Sequence, residues 1–214
     1  MSGSRAKDAW GDVLAEPVAD LRNQPTQLPT FFLFILIPVV TSLPGVGAPV
    51  NELAAVLIVG LSIFRPARDL TIPFWAYLGL FGSVLAVYFG TFALDAFEVR
   101  RMGHLAIWAG LALALISGRV HIASAARGMA VSLFVGAALG IVGFNLGSYG
   151  GRLNSYWGDP NSAGLWMLTV GLVSIPFIAS RPRRTILMIV IAVALVMTFS
   201  RTTLVAAAIA TIWF

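Results

Sequence analysis

Of the chain's 214 residues, 58% are hydrophobic and 11% charged, and the mean hydropathy is +0.89. A soluble domain is about a quarter charged, and a disordered chain needs high charge with little apolar content, so both classes are excluded. There is no cysteine for a disulfide, thiolate or redox site, and the net charge of +5 is scattered without the basic stripe that nucleic acid requires.

What fits is an all-α polytopic transmembrane bundle. Residues 1–30 mix Arg5, Lys7 and Arg22 with Asp8, Asp12, Glu16 and Asp20 around Pro17, Pro25 and Pro29. With no apolar h-region at the start, they read as a polar cytoplasmic segment and no cleavable signal. Residues 31–214 read as a transmembrane helical domain of about eight spans, at roughly 31–45, 50–64, 71–91, 103–118, 128–147, 160–179, 184–200 and 201–214. Helices are expected because only they satisfy the backbone internally in lipid, and the alternation of a β-barrel is absent. The first pair is interrupted by Pro44-Gly45-Val46-Gly47-Ala48-Pro49, which suits either a tight hairpin or a re-entrant loop.

Taking the N-terminus as inside, ten of the fourteen Lys and Arg residues fall on inner connections and four on outer ones. That asymmetry matches the positive-inside rule. Gly136-Ala137-Ala138-Leu139-Gly140 is a GxxxG pair that permits close helix approach and is read as packing. Pro38 and Pro176 lie within expected spans and are expected to kink them. The last segment has 14 residues, would rise about 21 Å, and stops on Ile212-Trp213-Phe214. It is read as a truncated span, the chain being the N-terminal part of a longer protein.

Chemistry concentrates beside two outward arginines. One lies in Gly151-Arg152, ahead of Asp159-Pro160-Asn161-Ser162, where Asp159 can cap the next helix and Pro160 suits its first turn. The other follows Ser200, a second candidate cap, in Phe199-Ser200-Arg201-Thr202. Arginine is disfavoured at a helix N-terminus unless an anion compensates, and guanidinium forks with free helix N–H groups suit phosphate oxygens. The bland reading of each residue is an interfacial arginine reaching for lipid headgroups.

These motifs, in this order and on one side, resemble those of the O-antigen ligase and O-antigen polymerase superfamily, where an Arg precedes a Pro-Asn pair opening one helix and a Ser-Arg pair opens a later one. The resemblance covers about residues 149–214. It implies a metal-independent glycosyltransferase, without cofactor, on the outer face of the bacterial cytoplasmic membrane. Its donor would be an undecaprenyl-pyrophosphate-linked glycan, and its acceptor a sugar hydroxyl on lipid A–core or another surface glycan. By the same resemblance Arg152 and Arg201 would grip the pyrophosphate, Asn161 would shape the pocket, and a general-base histidine would come from a loop beyond residue 214. This chain would then be inactive alone.

The residues present agree. Asp95, Glu98, Asp159 and Glu52 are poor material for a two-carboxylate metal site, which favours arginine as the phosphate counter-charge. Asp95 and Glu98 read as partners of Arg100 and Arg101. His121 is read as inside, and His104 as an interfacial residue with a minor claim to base catalysis. Two other classes stay open: a transporter or flippase for a lipid-linked glycan, for which Asn145 is one of few polar candidates, and a non-catalytic scaffold docking partners by helix packing.

Overall fold

A computed structural model describes residues 22–39, 49–67, 79, 82, 96–145 and 150–213. Among them every regular element is helical: α1 (Leu28–Leu36), α2 (Val50–Ile63), α3 (Ala96–Ile116), α4 (Ile122–Ile141), α5 (Pro160–Ser174), α6 (Arg181–Met197) and α7 (Arg201–Trp213), with two short 3-10 turns. The chain is all-α as expected. By length and composition one described helix, the 20-residue α4, could cross a membrane; α2 and Met102–Ile116 of α3 are shorter apolar helices. Apart from residues 79 and 82, the expected span at 71–91 lies outside the described residues, as do the stretch Pro44–Ala48 and the polar segment through residue 21.

The chain divides into two compact units, one of Met1–Thr41 with Ala123–Phe214, the other of Ser42–Ile122. In the second unit α2 and α3 run parallel. Glu52, in the first turn of α2, meets His104 Nε2 at 3.1 Å, which gives this histidine a structural partner. At the other end Arg119 Nη1 donates to the Ser62 and Ile63 carbonyls at 3.4 and 3.5 Å, and Arg65 Nη1 to the Arg119 carbonyl at 3.3 Å. Guanidinium groups are favoured there by the negative ends of both helix dipoles.

In the first unit α1 and α4 begin at the same end. Arg127 ties that end together, donating to the Gln24 carbonyl (2.8 Å), Thr26 Oγ1 (2.7 Å) and the Arg22 carbonyl (2.6 Å), while the Gln27 N–H meets Ser124 Oγ at 2.8 Å. Arg22 Nε donates in turn to the Pro176 carbonyl at 2.9 Å, so α5 finishes at this end and α6 starts from it. The opposite end of the unit carries the close of α4 and α6, residues 150–158, and the starts of α5 and α7. Between the ends, Leu133, Ala137, Met167, Leu187, Ile191 and Ala194 form a buried core. Ile186, Ile189, Val193 and Val196 of α6 leave an exposed apolar stripe.

Two sequence expectations shift. The span expected at 128–147 is a helix six residues earlier. Arg127 does not mark its boundary, because its guanidinium turns to the chain ahead of α1 while Ala123, Ala125 and Ala126 beside it are buried. The helix stops at Gly143, whose φ of 95° only glycine adopts freely. The Gly143 N–H bonds the Gly140 carbonyl and the Phe144 N–H bonds the Leu139 carbonyl, a Schellman end. Neither proline kinks a helix. Pro38 lies past the end of α1, and Pro176 sits in the 3-10 turn Ile175–Phe177 that finishes α5.

Candidate functional site

The end of the first unit where α5 and α7 start is built on a loop laid along α4. Leu153, Tyr156 and Trp157 are buried over the two glycines of the GxxxG pair. A Cβ on Gly136 would come within 2.6 Å of both rings, and one on Gly140 within 2.6 Å of Leu153. The pair does permit close packing, but what it admits is this chain's own loop in place of a helix. The Tyr156 hydroxyl reaches Ser132 Oγ at 2.9 Å and also donates to the Ser132 carbonyl. Burial pushes the Tyr156 phenol up to about 12, outweighing its hydrogen bonds, so it stays a neutral donor at physiological pH. Asn145 Oδ1 accepts the N–H groups of Asn154 (2.8 Å) and Ser155 (3.0 Å), and the Leu153 N–H bonds the Met197 carbonyl at 3.0 Å. The loop is thereby fixed to both α4 and the close of α6.

That fixation sets Arg152. Its Nε donates to the Thr198 carbonyl at 2.8 Å, three residues before Arg201. A guanidinium has five donors, and this is its one hydrogen bond among the described residues. Ser200 opens α7 as expected, its Oγ 3.4 Å from the Thr203 N–H and 2.8 Å from Thr203 Oγ1. Asp159 caps α5, its carboxylate accepting from the Asn161 and Ser162 N–H groups at 2.8 and 3.0 Å and from the Ser162 hydroxyl. The N-terminal parts of the two helices touch, since a Cβ on Gly164 would come within 2.6 Å of Thr203 Oγ1. Arg152, Asn161 and Arg201 therefore gather at one end of one unit, Arg152 half-buried and the other two exposed.

One part of the sequence reading changes. Both helix N-termini were expected to offer N–H groups to an anion, but at α5 the Asp159 carboxylate already holds two of them. Burial tends to raise the pKa of Asp159. Its bonds to the Ser162 hydroxyl and N–H and to the Asn161 N–H, with the Arg152 charge, outweigh this and hold it below the ordinary carboxylate range. What the corner offers to solvent is the guanidinium groups of Arg152 and Arg201 and the start of α7.

Strain marks the same corner. The two non-glycine residues with positive φ among those described are Ser155 (47°) and Phe199 (48°), flanking the Arg152–Thr198 contact in the chain. Ser155 Oγ and Trp157 Nε1 are buried there without a hydrogen-bond partner among the described residues, each a cost on the order of 1–3 kcal/mol. Such strain persists only where the surroundings enforce it, and it clusters at binding sites.

The contacts of Ser132, the Thr198 carbonyl and Asn145 were not legible in the sequence, where Phe199 stood only as the first residue of the Phe199-Ser200-Arg201-Thr202 motif. A polar residue two places past a helix-ending glycine was the available signal for Asn145; nothing in the sequence marked the positive φ of Phe199. Among the described residues no three His, Cys, Asp or Glu side chains gather as a metal group. Comparison of the chain with known protein families, with curated proteins and with solved structures gave no match.

Proposed function

We propose that this chain is an O-antigen ligase-like glycosyltransferase of the bacterial cytoplasmic membrane, crossing it about eight times with its N-terminus inside. In this reading the Arg152–Arg201 corner binds the pyrophosphate of an undecaprenyl-linked glycan at the outer face. The observation that carries it is the setting of Arg152: one bond from Nε to the Thr198 carbonyl aims the guanidinium, and its other donors have no partner among the described residues, beside the touching N-terminal parts of α5 and α7. In the transfer, an acceptor hydroxyl attacks the anomeric carbon as the bond to the pyrophosphate oxygen breaks. Arg152 and Arg201 stabilise the charge that grows on that leaving group. The hydroxyl proton goes to a general base, a histidine as the resemblance implies.

The helix ends support the proposed sidedness. Arg22, Arg127 and the arginines opening α6 share one end of the first unit, and Arg152 and Arg201 share the other, as the inner and outer assignments require. Two observations weigh against the alternatives. Asn145, one of the few polar candidates for a transport path, is engaged by two backbone N–H groups, and the GxxxG groove a scaffold would offer a partner helix is filled by Tyr156 and Trp157.

Binding of undecaprenyl pyrophosphate to the detergent-solubilised chain tests the site. Affinity is expected to fall at least tenfold in both Arg152→Ala and Arg201→Ala; unchanged affinity in folded variants would remove the assignment. Because the chain has no cysteine, single cysteines at Ala179 and Thr202 report sidedness directly. Labelling of both from the same side would end the membrane topology.

A further inference from the structure

Four described helices end with one hydrogen bond in common, from the N–H just past the cap to the carbonyl three residues back. At α2 the donor is Arg65 (3.1 Å to the Ser62 carbonyl), without positive φ, and the three others share the bond with a left-handed donor. In those three it joins Gly118 to Leu115 (3.1 Å), Gly143 to Gly140 (3.2 Å) and Phe199 to Val196 (3.1 Å). The donor residue has positive φ each time, 66°, 95° and 48°. At α3 and α4 that residue is glycine; at α6 it is phenylalanine. The left-handed region is unfavourable for any side chain with a Cβ and an outlier for a bulky one.

The fold compensates locally. At α3 and α4 a second backbone bond completes the turn, from Arg119 N–H to the Ala114 carbonyl and from Phe144 N–H to the Leu139 carbonyl. At α6 the Thr198 hydroxyl takes over, donating to the Leu195 carbonyl at 2.7 Å and accepting from the Ser200 N–H at 3.3 Å. The phenylalanine ring itself contributes little to packing, being 64% exposed. Stability therefore gives no reason for an aromatic residue where glycine would relax the turn.

Its surroundings do. The exposed stripe of Ile186, Ile189, Val193 and Val196 leads along α6 to Phe199. Phe199 in turn adjoins the Thr198 carbonyl that holds Arg152 and lies two residues from Arg201. Apolar surface and anion-seeking charge meet at this turn, complementary to a ligand with a pyrophosphate head and a hydrocarbon chain. We infer that Phe199 is a specificity-determining residue that contacts the isoprenyl chain of the lipid pyrophosphate next to its head; this rests on the reading of Arg152 and Arg201 as the head's site.

The test compares inorganic, farnesyl and undecaprenyl pyrophosphate on the full chain in detergent. Wild-type affinity is expected to climb along the series. In Phe199→Gly, thermal stability rises because the turn relaxes, inorganic pyrophosphate binds within twofold of wild type, and undecaprenyl pyrophosphate weakens at least tenfold. Phe199→Trp retains the chain preference without the gain in stability. If Phe199→Gly keeps the wild-type preference for the long chain, the ring meets only bulk lipid or detergent and the inference is overturned. If no member of the series binds the wild type, the pyrophosphate site fails first and this inference falls with it.

Discussion

The two ends of the first unit use arginine in opposite ways. At the end where α1 and α4 begin, Arg127 donates to three acceptors on residues 22–26, and Arg22 reaches Pro176. These guanidinium groups are fasteners. At the other end Arg152 makes one bond, to Thr198, and Arg201 makes none among the described residues. The turns around them are strained, and Asp159 is the carboxylate within electrostatic reach of Arg152. The difference separates arginines that complete a fold from arginines that a fold holds ready, and each variant below is a way to break that distinction.

The largest effect is expected at Asn145. Asn145→Leu removes the acceptor for two backbone N–H groups on buried residues. At roughly 1–3 kcal/mol for each stranded group, it should cost about 2–6 kcal/mol of stability and release the loop that sets Arg152. Asn145→Asp keeps an acceptor oxygen and should retain most of both. Thermal unfolding and limited proteolysis at residues 150–158 measure this, and equal behaviour of the two variants would show that Asn145 is not the clamp.

Arg127→Ala comes next and inverts the pattern of the Arg152 variant. Losing charge-assisted bonds to three acceptors should cost about 2–4 kcal/mol. Pyrophosphate affinity should stay within twofold, since the residue sits at the far end of the unit. A fall in affinity in a folded Arg127→Ala sample would mean that the ends are not functionally distinct.

How far this distinction could be read from sequence follows from the kind of interaction. The caps at Asp159 and Ser200 were legible because capping is local, set by residue type within three positions of a helix start. The helical class was legible from composition. The register of α4 was not, because apolar content continues past Gly143 and a charged residue, Arg127, lies inside the helix. Nor was the occupant of the GxxxG groove, since small residues announce an approach but do not say what approaches. The contacts that distinguish the arginines, Arg127 with Gln24 and Arg152 with Thr198, span 103 and 46 residues. No periodicity carries such pairings.

Asp159 sharpens the comparison from the acidic side. Asp159→Ala loses the cap of α5, worth about 1 kcal/mol. It also removes a negative charge beside Arg152 and frees two N–H groups, so inorganic pyrophosphate should bind more tightly. Stability and affinity then move in opposite directions, which damage to the fold alone would not produce. Because the folded-state pKa of Asp159 lies below its unfolded value, its stabilisation is fully present above the unfolded pKa, near 4. It is lost as pH falls through the lower folded value. Acid unfolding curves of wild type and Asp159→Asn, an uncharged cap that does not titrate and lacks the ionised form's extra stabilisation, should converge at low pH; parallel curves would dissociate Asp159 from this linkage.

The smallest effect is expected in the second unit, where the fastening rule meets weaker geometry. Arg119 reaches the Ser62 and Ile63 carbonyls only at 3.4 and 3.5 Å, against 2.6–2.8 Å for the bonds of Arg127. What remains is mostly the attraction of a cation to the C-terminal ends of α2 and α3, about 0.3–1 kcal/mol and screened by salt. Arg119→Ala should therefore lower the unfolding temperature slightly, Arg119→Lys should restore it, and both differences should shrink in high salt. For Arg127→Ala the loss should persist in the same buffer, because its short bonds to the partly buried Gln24 and Arg22 carbonyls are poorly screened. If the two arginines show the same salt dependence, bond geometry does not set what a fastening arginine contributes. The contrast between the two ends of the first unit would then rest on charge placement alone.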